Sequence, residues 1–470
     1  MKKRHQNIIN HRKSNGILIR ISFLLIVLLI LHSLNVISSE PKEYNYQYDV
    51  PFDNVPNTDN IIMYEVNPLV FSESGDLEGI QSKLDSIKNL GVNVIWLMPI
   101  YPIGEFKGIG SPYAVRDYKK INPDYGDFED LRALVKKAHK LDMAVIMDWV
   151  GNHTAWDNPW ITNHKDWYTQ ENGEIIHPAG TNWRDVADLN YANHEMQDEM
   201  IESMKYWILT ANIDGYRFDY ADGVPTEFWN RAIDTLKSIP NRKLILLAEG
   251  ANKEHFSSGF DLIYDWNFYD RLITVFNENS SPSSLAKLNA VQSDYIPDGK
   301  YTLRFISNHD KCAWENTPLD EFQGKDGSMA AFVLTAYIGG IPLLYNGQEV
   351  GCPIRLPFFS SGTAKIDWSI NPEMTAEYKK LIHFRKSSNA VKTGSIEIFD
   401  NNRDIMAFKR ISGDKEVLVI VNVRNSVNVY KLPPSITDTN WQDAFTEESV
   451  SFNVSVTLQP FSYIILKRGS

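Results

Sequence analysis

Eight short apolar runs, separated by stretches with helical spacing, constrain the architecture of this chain more than any other feature. The runs are 61–64, 92–97, 144–147, 213–218, 244–247, 262–264, 303–306 and 341–344. Between the first two, Ile80, Leu84, Ile87 and Leu90 recur at the three- and four-residue steps of one helix face. Segments 128–141, 194–210 and 226–238 are further candidate helices. Eight β-then-α units in series predict an α/β chain folded as a (β/α)8 barrel. A doubly wound sheet also alternates, but it usually carries fewer strands and places its ligand elsewhere.

The runs also fix the domain boundaries. The barrel is expected at 61–153 and 194–390. Residues 154–193, rich in Asn, Trp, His and Gly, are too many for an ordinary βα loop. They read as an inserted domain B after strand three, over the barrel rim. From 391 to 470 the character changes to strand-like runs separated by turn signals, such as 405–410, 416–423 and 462–467. This predicts a C-terminal antiparallel β-sandwich domain. Residues 40–60 are polar, contain Pro and read as a linker.

The first 39 residues stand apart. They hold six Lys or Arg and no Asp or Glu, followed by an apolar run at 21–31 and by Ser38-Ser39. That order is the pattern of an export signal. The run is short for a membrane span, which needs about 20 residues. The reading is a cleaved signal, with an uncleaved N-terminal anchor as the alternative, and the expected location is periplasmic or extracellular. The whole chain has 47 basic and 59 acidic residues, a net charge of −12, and the remainder is more acidic still once the basic leader is set aside. Such a surface disfavours nucleic acid and anionic membranes as partners and suits a neutral substrate. Two cysteines, Cys312 and Cys352, exclude a disulfide framework and leave either one bridge or two buried thiols.

Candidate chemistry lies where the apolar runs stop. In a parallel barrel the C-terminal strand ends form the site. Strand three ends at Asp148-Trp-Val-Gly-Asn152-His153, strand four at Arg217-Phe-Asp219, strand five at Glu249 and strand seven at Asn308-His309-Asp310. Arg217 and Asp219 are two apart and share a strand face. The guanidinium is expected to lower the carboxyl pKa and keep Asp219 ionised, as a nucleophile requires. Glu249 follows an apolar run, and a partly desolvated Glu can hold the proton that a leaving group needs. Two carboxyls flanking a glycosidic bond are the equipment for hydrolysing it with retention. Asp310 could stabilise an oxocarbenium-like transition state.

These segments resemble the α-amylase family, glycoside hydrolase family 13. The matching regions are Asp148-Trp-Val-Gly-Asn-His153, Val186-Ala-Asp-Leu-Asn190, Gly215-Tyr-Arg-Phe-Asp219, Glu249 and Phe305-Ile-Ser-Asn-His-Asp310. Gly110-Ser-Pro-Tyr113-Ala-Val-Arg-Asp117-Tyr, Asn122-Pro-Asp-Tyr-Gly126 and Gly339-Gly-Ile-Pro-Leu-Leu-Tyr-Asn-Gly-Gln-Glu349 add to them. The resemblance implies Asp219 as nucleophile, Glu249 as acid/base and Asp310 as transition-state stabiliser. It implies Tyr113 as a stacking aromatic, with His153, Arg217 and His309 supporting the sugar. It also implies a Ca2+ ion, with Asn152 and Asp188 at two ligand positions. One departure stands out. Where the family typically has a Lys-His pair after the nucleophile, this chain has Asp222-Gly223.

The expected activity is that of an exported endo-acting α-amylase cleaving α-1,4 bonds of starch, glycogen or maltooligosaccharides by double displacement. The alternatives are an α-glucan transglycosylase or oligosaccharide-specific α-glucosidase, and a non-catalytic membrane-anchored partner protein with an amylase-like barrel. Retention of all three carboxylates argues against the last.

Overall fold

The structure, a computed structural model, describes residues 47–469 apart from 279, 400, 401 and 438. The segment 1–39, read as a signal or anchor, lies outside the described residues.

Strands β1 (Met63–Val66), β2 (Val94–Leu97), β3 (Ala144–Val150), β4 (Gly215–Asp219), β5 (Ile245–Ala248), β6 (Leu262–Tyr264), β7 (Tyr301–Arg304) and β8 (Ile341–Tyr345) close into a parallel barrel. Each strand pairs with its sequence neighbours, and β1 pairs with β8. Side chains alternate across the wall, as the period of two demands. Met63, Trp96, Ile146, Leu247, Leu303 and Leu343 fill the interior. Tyr64, Ile95, Val145, Tyr216 and Leu246 face the helices. Because both faces are buried, the strands read as nearly unbroken apolar runs.

The helices follow their sequence signals. α1 (Leu77–Leu90) is capped by Asp76, buries Ile80, Leu84, Ile87 and Leu90, and stops at Gly91, whose φ of 103° favours glycine. α2 (Phe128–Lys140) starts with a capping box formed by Asp127 and Asp130. α3 (His194–Thr210) and α4 (Thr226–Lys237) occupy the expected segments.

Two strands are displaced by two residues from the sequence reading, the first being β1, at Met63–Val66 rather than 61–64. β7 is Tyr301–Arg304 rather than 303–306, and His309 and Asp310 open a short helix, His309–Trp314. The cause is Asn308, whose side chain accepts a hydrogen bond from the Lys311 amide and caps that helix.

After β3 the chain enters the insertion. His153–Ala155 pairs antiparallel with Val186–Asp188, and a small hairpin joins Gln170–Glu171 to Glu174–Ile175. The C-terminal domain has a six-stranded antiparallel sheet and a two-stranded sheet that share a core of Ile405, Leu418, Ile420, Tyr430, Trp441 and Leu458. The other face of the larger sheet, with Phe408, Val417 and Val419, packs into the barrel's outer layer. Cys312 and Cys352 are separate, buried thiols. Among the described residues no helix is long and apolar enough to cross a membrane.

Within the segment 40–60 read as a linker, residues 48–60 are attached to the barrel. The Tyr48 amide donates to the Leu209 carbonyl, Phe52 stacks on His139 at 4.4 Å, and Val55 joins the interior cluster. Burial of apolar side chains thus outweighs the polar composition of the segment. Val55→Ala is expected to lower stability by about 1–2 kcal/mol, measured by urea unfolding.

Candidate active site

Arg217 is the centre of the cleft. It lies on β4 directly opposite Asp148 on β3, with no exposed surface of its own. Its Nη1 contacts Asp148 Oδ1 at 2.8 Å and Asp219 Oδ1 at 2.9 Å. Its Nη2 contacts Glu249 Oε2 at 2.8 Å. One guanidinium therefore gathers three carboxylates from β3, β4 and the end of β5. Trp96 lies against it, with the ring centroid 5.1 Å from the guanidinium carbon. Glu249 is held further by the Tyr220 amide, which donates to Oε2 at 2.7 Å.

Across the cleft, His309 faces Asp310, with Nε2 and Oδ2 at 3.5 Å. Its Nδ1 bonds Glu65 on β1, and Nε2 lies 2.8 Å from the Tyr113 hydroxyl. Tyr113 donates in turn to Asp148 Oδ2 at 3.0 Å. A continuous line of polar contacts thus runs Glu65–His309–Tyr113–Asp148–Arg217.

Burial and crowding set the charge states. Burial raises Asp219 well above the usual carboxylate range; Arg217 opposes this, while the charges of Glu249 and Asp148 add to it. Arg217 does lower this pKa, as expected, but burial outweighs it, so that the net shift is upward and Asp219 is not held ionised by the guanidinium alone. Burial likewise raises Glu249, opposed by Arg217 and assisted by Asp310. Two raised, interacting carboxyls ionise in two steps that belong to the pair. The intermediate state holds one proton between them. Burial disfavours the His309 cation, but Asp310 and Glu65 outweigh it and lift the pKa to about 9. Burial lowers His153 to about 4. At neutral pH His309 is charged and His153 is neutral.

These groups open onto a cavity of about 560 Å3. Tyr113, His153, Asp219, Glu249, His309 and Asp310 all line it. Arg217 lies behind the wall and acts through its partners. Aromatic side chains that the sequence reading did not single out complete the cleft. Trp183 and Tyr220 pack edge to face at 5.0 Å. Phe358 stacks on Tyr113 at 5.6 Å and touches Trp314. Trp314 is 54% exposed and Tyr220 38% exposed, which leaves both rings open to a ligand. Glu65 was also missed, although a carboxylate ending the run Ile61-Ile-Met-Tyr-Glu65 carries the same signal as Glu249.

Asn152 and Asp188 lie beside the cleft, at the ladder where His153 pairs with Asp188. Asn152 is buried next to the His153 ring, with Nδ2 and Nδ1 at 3.3 Å. Asp188 is half-buried, and burial raises its pKa against a hydrogen bond from Thr169 and the charge of His177. Among the described residues no group of three or more His, Cys, Asp or Glu is arranged to hold a metal ion. Asp222, at the family's Lys-His position, bonds His255 Nε2 at 2.7 Å and the Ala251 amide at 3.0 Å. It pins the loop after β5.

A closed parallel barrel with carboxylates converging at its C-terminal rim, walled by aromatic rings, is the form of a glycoside-cleaving enzyme. The family model for the α-amylase catalytic domain matches residues 48–186 and 181–406, and the chain belongs to the α-amylase family. It is 27% identical over 444 residues to α-amylase 2 of Dictyoglomus thermophilum, covering 90% of this chain and 75% of that one. It is 28% identical over 420 residues to an intracellular maltogenic amylase of Bacillus subtilis, covering 84% and 70%. The crystal structure of a noncanonic maltogenic α-amylase from Thermotoga neapolitana superposes with a TM-score of 0.78 at 26% identity, covering 88% of this chain and 99% of that one. The chain is an enzyme that hydrolyses glycosidic bonds.

The charge states have testable consequences. Glu249→Gln is expected to lower kcat by roughly 10²–10⁴-fold while leaving the circular dichroism spectrum unchanged. The raised His309 pKa stabilises the fold fully below the unfolded value of about 6.5, and this contribution fades as pH rises through about 9. Glu65→Gln should lower the His309 pKa, read from its imidazole NMR titration.

Proposed function

We propose that this chain is an exported endo-acting α-amylase that cleaves α-1,4-glucosidic bonds of starch, glycogen or maltooligosaccharides with retention. The observation that carries the reading is the attachment of Asp219 and Glu249 to a single guanidinium in one aromatic-walled cleft. That tether keeps the two carboxyls close, as double displacement requires, where about 5–5.5 Å is usual.

The shared proton then has a defined use. Double displacement requires it on Glu249 rather than on Asp219, and Glu249 gives it to the glycosidic oxygen as the bond breaks. Asp219, anionic and next to Arg217, attacks the anomeric carbon and forms a covalent glycosyl ester. Glu249, now a base, takes a proton from water, which displaces Asp219 and restores the α-configuration. Asp310 and the positively charged His309 face the ring from the opposite wall. Asp310 offsets the charge that develops on the sugar, and His309 and Tyr113 fix its orientation. His153, held neutral by burial, can both donate to and accept from a sugar hydroxyl.

Incubation with soluble starch tests this. The expected outcome is a rapid fall in polymer length with a ladder of α-maltooligosaccharides. Release of maltose or glucose alone, with polymer length unchanged, overturns the endo-acting assignment.

One observation favours a second reading, action on short oligosaccharides with partial transfer to sugar acceptors. Tyr220 follows the nucleophile directly and, with Trp183, walls the cleft beside Glu249, where the family's Lys-His is absent. A hydrophobic wall there holds a sugar and excludes water. Two relatives bear names of that kind, the maltogenic amylase and a cyclomaltodextrinase of Thermoanaerobacter pseudethanolicus. Tyr220→Ala should lower the ratio of transfer to hydrolysis and raise KM for maltotriose more than it changes kcat, both read from product chromatography.

Calcium and export belong to the same proposal. Asn152, just before the strand whose His153 pairs with Asp188, and the half-buried Asp188 offer hard oxygen donors, which suit Ca2+. The ion would tie the insertion to the barrel and take no part in bond cleavage. A chelator is expected to lower the Tm, and Asp188→Asn to abolish that shift. Export predicts activity in the medium or periplasmic fraction, lost on deletion of residues 1–39.

A further inference from the structure

A second cavity, of about 350 Å3, lies outside the barrel wall, at the starts of β7 and β8 and against the C-terminal domain. It is remote in position and kind from the catalytic cleft, since it opens at the opposite strand ends and is lined by cations rather than carboxylates. Arg304 (β7), Lys300, Lys392 and Arg410 (from the C-terminal strand Ile405–Ser412) line it, with one exposed carboxylate, Asp298, at its rim. Arg385 is buried behind it.

The charges of this group do not balance. Arg304 Nε is paired with Asp265 at 2.9 Å, and Lys300 with Asp261 at 2.8 Å. Arg385 and Arg410 contact only carbonyls, those of Ala336, Gly340, Ile338 and Ala390. Lys392 bonds the Asn60 amide oxygen. The helix Lys325–Tyr337 ends at these carbonyls, so its negative pole offsets part of the charge. Among the described residues Asp59 adds a favourable charge at Arg385, and neither Arg385 nor Arg410 forms an ion pair with a carboxylate. Burial lowers both Arg385 and Arg410 to about 10, and neighbouring guanidiniums repel each of them.

A further polar group has no partner. Arg304 is 2% exposed, yet its Nη1 makes no hydrogen bond. The cavity wall beside it is Gly339, where an added Cβ would sit 3.5 Å from that nitrogen. The glycine leaves the space in front of the orphaned donor open. An unpaired buried N–H of a cation is costly, and an acceptor anion at this place removes the cost.

We propose that this cavity is an anion-binding site, built for a phosphate-class oxyanion, which Arg304, Arg410 and Lys392 hold between the barrel and the C-terminal domain. Guanidiniums match tetrahedral oxyanions through paired N–H donors. Because its groups come from β7, from the inter-domain helix Asn389–Thr393 and from the C-terminal sheet, occupancy would fasten the two domains together. The site is independent of the reading given for the catalytic cleft.

Isothermal titration of the full chain with inorganic phosphate, at ionic strength held constant with chloride, tests the proposal. One saturable site is expected, weakened by roughly tenfold or more in Arg410→Gln and separately in Lys392→Gln. Lys392 is only partly buried, so its variant retains the fold if the other does not. A hexose monophosphate titrated in parallel identifies the source: tighter binding than phosphate assigns a sugar phosphate, and equal or weaker binding assigns the free ion. Absence of saturable binding in the wild type, or an unchanged Kd in both variants, overturns the proposal.

Discussion

A single buried guanidinium holds the catalytic end of this barrel together. Arg217 has no solvent contact, yet it touches carboxylates from three successive strand positions. Burying a cation is tolerable only with close counter-charges, and burying the carboxylates is tolerable only with the cation. The surplus of acid over base matters as much as the contacts. With Asp148, Asp219 and Glu249 around one guanidinium in a desolvated pocket, full ionisation is disfavoured. The arrangement thus shapes ionisation as well as position. Loss of Arg217 would leave three buried carboxylates repelling one another, a structural fault as much as a chemical one.

The same logic extends across the cleft through His309. Glu65 contributes nothing to the cavity lining, but its contact with Nδ1 helps keep the imidazole cationic. Tyr113 then links that cation to Asp148. Two groups on opposite walls, Arg217 and His309, share the work of neutralising the cluster, and both do so from inside the barrel, where water screens them little.

Much of this was legible from sequence, and for identifiable reasons. Barrel strands buried on both faces must be apolar, so the polar residue that ends each run is conspicuous. Asp148, Asp219 and Glu249 stand out in that way. Asp310 was reached by the same logic although its strand stops earlier, because the capped helix after β7 delivers it to the same rim. Three things were hidden. Phe358 and Tyr220 lie in loops with no periodicity and Trp314 ends the short helix after β7, so only the closed fold brings them together. Residues 48–60 look like a tether by composition, but the few apolar side chains among them decide their fate. The direction of the Asp219 shift depends first on burial and then on how many carboxylates share the guanidinium, and both require three dimensions.

Tyr220 deserves a last look for its backbone. Its φ of 42° lies in the left-handed region, which a large L side chain enters at a cost of roughly 1–2 kcal/mol. Glycine or asparagine would sit there with less strain, and would give up the ring that meets Trp183. Selection for heat tolerance and selection for turnover therefore pull this one codon in opposite directions. A thermostabilised descendant of this protein would reveal, by what it carries immediately after its nucleophile, which of the two pressures had prevailed.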